Sequence, residues 1–151
     1  LNGQSSRLVW RWRLGEWEEA LRHYGEAVRL QPDYWEAHSR LGTLLLFHRR
    51  ADDALPHLTE TLHLNPNQPQ AQFDLGNLFA IKQQYEEAIR HFSEAVRLSP
   101  NYAPAHKNLG MALARAGRRS EAITELNEAL RLKPDYEEAR QQLQVLGPGT
   151  R

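Results

Sequence analysis

Four prolines constrain this chain more than any other feature. Pro32, Pro66, Pro100 and Pro134 recur at a constant interval of 34 residues, and each closes a similar phrase: AVRLQP, TLHLNP, AVRLSP and ALRLKP. Other columns keep the same interval. Ala20, Ala54, Ala88 and Ala122 form one, and Tyr24, Leu58, Phe92 and Leu126 a second. Ala27, Thr61, Ala95 and Ala129 form a third, and Leu30, Leu64, Leu98 and Leu132 a fourth. In the other half of the period, Leu41-Gly42, Leu75-Gly76 and Leu109-Gly110 repeat. A sequence that repeats at this interval folds as an array of small units, each too small to bury its apolar face alone.

Within a unit the apolar spacing is helical twice over. Ala71, Leu75, Leu78 and Phe79 give one apolar stripe, and Ala88, Phe92, Ala95 and Val96 give another. Proline disfavours the α region for the residue before it, so each second helix stops there. Asp33, Asn67, Asn101 and Asp135 suit the turn that follows. Gly15 and Gly117 mark the turn inside a unit, because glycine adopts positive φ at little cost. Small residues stand where two helix backbones approach, and large ones fill the seam, each contributing about 1.5–3 kcal/mol when buried.

Composition narrows the function classes. Nineteen Lys+Arg balance nineteen Asp+Glu, so no excess positive charge points to nucleic acid or an anionic membrane. No apolar run reaches the ~18 residues of a membrane span. The chain has no cysteine, which removes disulfides and thiol chemistry and fits a reducing compartment. There is no HExxH, no phosphate-binding glycine loop and no GxSxG, so no enzyme, metal or cofactor is expected. The acidic pairs Glu18-Glu19, Asp52-Asp53 and Glu86-Glu87 fall at helix starts, where they oppose the helix dipole favourably.

The 34-residue period, LG in the first helix, Ala–aromatic–Ala in the second and the closing proline together resemble the tetratricopeptide repeat. The stretches DLGNLFAIKQQYEEAIRHFSEAVRLSP (74–100) and NLGMALARAGRRSEAITELNEALRLKP (108–134) carry the likeness. The resemblance implies an all-α fold, a right-handed α-α superhelix of antiparallel helix pairs. Its expected units are 1–34, 35–68, 69–102 and 103–136, with a capping helix at 137–146 and a flexible tail at 147–151.

Two units depart from the pattern. In the first, Arg7 and Leu8 stand where LG is expected, so its first helix is degenerate. In the second, Arg49 and Arg50 replace the turn glycine and Pro56 falls early in the second helix, which predicts a late start capped by Asp52 or Asp53. All four tryptophans lie in the first 35 residues. Trp17 and Trp35 fit apolar columns. Trp10 and Trp12 sit in the irregular helix and make that edge a candidate surface for packing on an upstream unit or a partner, or for pairing with a second copy.

Seven histidines raise the question of a metal. His23, His57 and His91 share one column, but helices stacked roughly 8–10 Å apart place the outer two too far apart for one ion. They read as repeated surface residues, and His38 and His106, two units apart in a first-helix column, as packing residues.

In the family resembled, the first helices line a concave face that commonly holds a peptide or a partner's helix. By column this places Ser39, Arg40, Thr43, Phe47, Phe73, Asp74, Asn77, Ile81, Lys107, Asn108, Met111 and Arg115 toward the groove. Phe47, Phe73, Ile81 and Met111 would form an apolar strip, and Asn77 and Asn108 would offer amides to an extended backbone. Some members bind a C-terminal carboxylate through a lysine, two asparagines and two further cations. Asn77 and Asn108 match that set, whereas Phe73, Glu138 and Gln142 do not. The expected partner is therefore a protein or peptide, with a self-associating module or the docking segment of a larger enzyme as alternatives. The unit at 103–136 carries a local excess of two positive charges, which favours an acidic ligand modestly.

Overall fold

The computed structural model describes residues 3–147, with side chains from residue 15 onward. Among these residues there are eight α-helices and no strand: α1 (Gly3–Leu30), α2 (Trp35–Phe47), α3 (Ala51–Leu64), α4 (Pro69–Ile81), α5 (Tyr85–Leu98), α6 (Ala103–Arg115), α7 (Arg119–Leu132) and α8 (Glu137–Leu146). They form two units that divide after Pro66. The first contains the hairpin α2/α3 with α1 packed on α2. The second contains the hairpins α4/α5 and α6/α7, with α5 against α6 and α8 against α7.

Each hairpin is closed by one inverted residue at a fixed place in the period. Arg49, Gln83 and Gly117, 34 residues apart, have φ of 61°, 59° and 81°. The carbonyls of the preceding helix are closed in the same way each time. Arg50 N–H donates to Leu45 O at 2.8 Å, Gln84 N–H to Phe79 O at 2.9 Å and Arg118 N–H to Leu113 O at 2.8 Å. This is the six-to-one bond that ends a helix on a left-handed residue. Only Gly117 meets the requirement without a side-chain penalty.

Three of the four repeat columns form the core from α3 onward, whereas Leu64, Leu98 and Leu132 are half-buried and Leu30 is exposed. Ala54, Ala88 and Ala122 are fully buried, as are Leu58 and Leu126, and Phe92 retains 1% of its surface. Thr61 occupies an alanine column and is also fully buried. Its hydroxyl donates to the His57 carbonyl at 2.9 Å, which satisfies the one polar atom it adds. The LG glycines face these columns. A Cβ on Gly42 would meet Leu58 at 2.7 Å, and one on Gly110 would meet Leu126 at 2.7 Å. Glycine is thus required by close packing, with the large residue sixteen positions later filling the space a side chain would take.

Three expectations are corrected. Gly15 does not mark a turn, since α1 continues through it as one 28-residue helix. Glycine permits an inversion but does not force one, and a hairpin also needs an apolar stripe on both arms. Accordingly Ala20, Tyr24 and Ala27 are only half-buried, unlike their counterparts. The α3 helix does not start late. It begins at Ala51, Arg50 is its cap residue without a side-chain cap bond, and Asp53 instead accepts from Arg50 Nε at 2.8 Å. Pro56 therefore lies inside the helix, in its second turn, where it omits one rung of the ladder. The third correction concerns His57 and His91 and is given below with their partners.

Trp17 and Trp35 are half-buried, and Trp17 stacks on His48 with centroids 4.1 Å apart. The side chains of Arg7, Leu8, Trp10 and Trp12, and the tail beyond Gly147, lie outside the described residues. Gly147, at φ 73°, ends α8, and Arg119 bonds the Leu146 carbonyl. No described helix is long and apolar enough to cross a membrane.

Candidate binding surface

A repeated side-chain seat ties α2, α6 and α8 each to the turn before it. The column His38, His106 and Arg140 stands six residues after the closing prolines. His38 Nε2 donates to Pro32 O at 2.9 Å, His106 Nε2 to Pro100 O at 2.8 Å and Arg140 to Pro134 O at 2.9 Å. The carbonyl that the helix end leaves without a rung is satisfied there. The same column also reaches the second helix of its own hairpin. His38 Nδ1 lies 3.1 Å from His57 Nδ1, Gln72 Oε1 lies 2.8 Å from His91 Nδ1, and His106 Nδ1 lies 2.7 Å from Glu125 Oε2. His57 and His91 are therefore half-buried hairpin fasteners and not repeated surface residues. His91 also stacks on Phe79, with centroids 5.3 Å apart and planes within 3°. Burial holds both His57 and His91 below the ordinary imidazole range, with further depression from His38 on the former and Arg90 on the latter. His38 and His106 are buried, as a packing role requires.

In the second unit, α6 touches both α4 and α8, so the three first helices share a face. Asn108 Nδ2 donates to Asn77 Oδ1 at 2.7 Å across α4 and α6. The two amides expected to act singly are thus a pair. The bond consumes one donor and one acceptor and leaves Asn77 Nδ2 and Asn108 Oδ1 their own capacity. Along the same helices, Ile81 is 60% exposed, Met111 is half-buried and Arg115 is exposed.

Two residues assigned to the face are drawn inward. Asp74 is buried and accepts from Gln70 Nε2 at 2.9 Å. Phe73 packs on Phe92 and Tyr102, with centroids 5.8 and 5.0 Å away. A phenyl ring beside an aromatic core residue gains more from that contact than from water, so it leaves the exposed strip. Burial raises the Tyr102 phenol above its usual range, and the Asp74 and Tyr136 charges add to this. Lys107 is engaged as well. Its Nζ donates to Glu138 Oε2 at 2.6 Å and lies 5.3 Å from the Tyr136 ring centroid. The Lys107 hydrogen bond and charge hold the Glu138 carboxyl below the ordinary range.

In the first unit, α2 carries the remaining assigned residues. Phe47 is 83% exposed, with His48 edge-on at 5.6 Å. Arg40 is exposed, and Thr43 is half-buried with its hydroxyl on the Ser39 carbonyl at 2.9 Å. Val145 on α8, 80% exposed in the column of Asn77 and Met111, is an apolar position that sequence reading passed over. Its place in the 34-residue column was the signal available. Among the described residues no cluster of three or more His, Asp or Glu side chains is arranged to hold a metal.

Three models described as tetratricopeptide or TPR repeats match the chain over residues 13–46, 39–103 and 79–146. No curated protein matches it. Among solved structures, MamA superposes with a TM-score of 0.83 at 23% identity, over 89% of this chain and 78% of MamA. YrrB, described as a TPR protein with an unusual peptide-binding site, gives 0.64 at 24% identity over 86% and 84%. The first TPR of Spaghetti (RPAP3), bound to the HSP90 peptide SRMEEVD, gives 0.72 at 20% identity over 74% and 89%. These likenesses establish an all-α fold of the α-α superhelical class.

Proposed function

This chain belongs to the tetratricopeptide repeat family, and on that premise we propose that it is a scaffold that holds an extended segment of a partner protein on the face shared by α4, α6 and α8. The observation that carries the reading is the Asn77–Asn108 amide pair on the face shared by α4, α6 and α8. A peptide group presents one acceptor and one donor. The pair retains a matching donor on Asn77 and a matching acceptor on Asn108, so it reads backbone in register without regard to sequence. Ile81 and Met111 receive an apolar side chain, and Arg115 an acidic one. In the other unit, α2 carries Arg40, Thr43 and Phe47 at the corresponding sequence positions, a second surface of its own. YrrB and the RPAP3 repeat, both described with peptides, support peptide capture by such a fold. An internal segment fits better than a free C-terminal carboxylate. Phe73 occupies the first lysine column, and Glu138 both neutralises Lys107 and repels a terminal carboxylate.

The test is a fluorescence-anisotropy screen of labelled extended peptides that combine apolar and acidic residues, followed by the double change Asn77→Ala with Asn108→Ala. Two hydrogen bonds at about 0.5–1.5 kcal/mol each, together about 1–3 kcal/mol, predict a loss of affinity of roughly five- to 150-fold, with far-UV circular dichroism unaltered. Unchanged affinity in the double variant refutes backbone reading by this pair.

A further inference from the structure

The seat between first and second helix is filled three ways in successive hairpins, and the three differ in what they do with a proton. In the first unit His38 Nε2 faces the Pro32 carbonyl, which only accepts, so that nitrogen carries hydrogen. The Nδ1 of neutral His38 is then an acceptor, and the bond at 3.1 Å requires His57 Nδ1 to donate. A first added proton enters at His57 Nε2 and leaves the bond intact. A second has no place except His38 Nδ1, where it sets N–H against N–H between two like charges.

The corresponding seats in the second unit lack this conflict. His91 donates from Nδ1 to Gln72 and can be protonated at Nε2 with the bond retained. His106 faces an acceptor at each ring nitrogen, Pro100 O and Glu125 Oε2, so the doubly N–H ring fits.

We propose that the His38–His57 pair is an acid-sensitive latch, closing hairpin α2/α3 while the two rings share a hydrogen bond and releasing it when both are charged, at an acidity that leaves α6/α7 folded. The charged group acting on His57 from its own helix is Asp53, one turn earlier, and Arg50 already holds that carboxylate. From α2 the acting group is His38 itself, and from the chain leaving α1 it is the uncharged Pro32 carbonyl. One acid half-engaged elsewhere does not neutralise two imidazolium rings, one of them buried. The sign follows from linkage. Burial and His38 hold His57 below its unfolded value, so the unfolded hairpin takes up protons first as pH falls. Stability is complete above about pH 6.5 and declines below it. The one proton that the closed pair cannot take favours opening by about tenfold at pH 5.5, and hardly at all at pH 7.5. The helix released is the one that bears Arg40, Thr43 and Phe47, but the latch does not depend on the groove reading.

Amide hydrogen exchange of the full chain, corrected for intrinsic rates at pH 7.5 and 5.5, tests the latch. The expected result is a fall in α2 and α3 protection of roughly tenfold relative to α6 and α7. His57→Glu converts the seat to the His106–Glu125 pattern and should abolish the difference. His57→Gln removes the second titrating ring with less change of charge and should do the same if the glutamate variant folds poorly. The proposal is overturned if protection of the two hairpins moves in parallel with pH, or if the acid response survives in the variants.

Discussion

Gly76→Ala tests the packing argument most directly, because two known effects act on it with opposite sign. In an isolated helix alanine is better than glycine by about 1 kcal/mol. In this structure the new Cβ would lie 2.5 Å from Cε1 and 2.9 Å from Cγ of Phe92, and closer still to Cδ1. Ordinary contact begins at 3.4 Å, so the ring has to retreat by about 1 Å. It has little room to do so. Phe92 is 1% exposed and is packed among Leu109, Leu113 and Phe73. Overpacking of this kind costs about 1–3 kcal/mol, which offsets the propensity gain of about 1 kcal/mol and leaves a net loss of up to about 2 kcal/mol. The assay is the urea midpoint followed by far-UV circular dichroism, in wild type and in a Phe92→Leu background. Leucine is what the neighbouring hairpins carry, as Leu58 and Leu126. The cost of Gly76→Ala should shrink in that background, with a coupling of about 0.5 kcal/mol or more. If Gly76→Ala raises the midpoint in wild type, close packing is not why glycine stands there.

Other expectations follow from single residues. Arg49→Gly and Gln83→Gly, at φ of 61° and 59°, should each stabilise by about 1 kcal/mol, whereas Gly117→Ala should destabilise by a similar amount; urea midpoints of the three variants check both signs. Glu138→Gln should release Lys107 and raise affinity for acidic peptides, with an effect that fades at high salt. In wild type the same release should come from acid. The Glu138 carboxyl is held below its ordinary range, so the pair persists through the usual carboxylate range near pH 4.3 and is lost as pH falls through the lower folded value; a carboxyl chemical-shift titration reads this.

Much of the fold is legible in one line of sequence, because a period of 34 residues repeats the same local instructions. Ala54, Ala88 and Ala122, with Leu58, Phe92 and Leu126, are fully or almost fully buried, as their spacing requires. The proline and left-handed positions set the helix ends, and these depend on backbone sterics that act within a few residues. The remainder depends on which side chains meet across nineteen residues once two helices cross. Spacing does not distinguish a surface histidine from one that faces another imidazole at 3.1 Å, and it did not show that Asn77 and Asn108 bond each other. Nor did it show Phe73 turning into an aromatic cluster, Asp74 going under with Gln70, or α1 running straight through Gly15. Local sequence determines where a helix can begin, turn and bury a stripe. Tertiary contact decides what each polar group bonds to, because a buried donor or acceptor takes the partner that packing brings within reach.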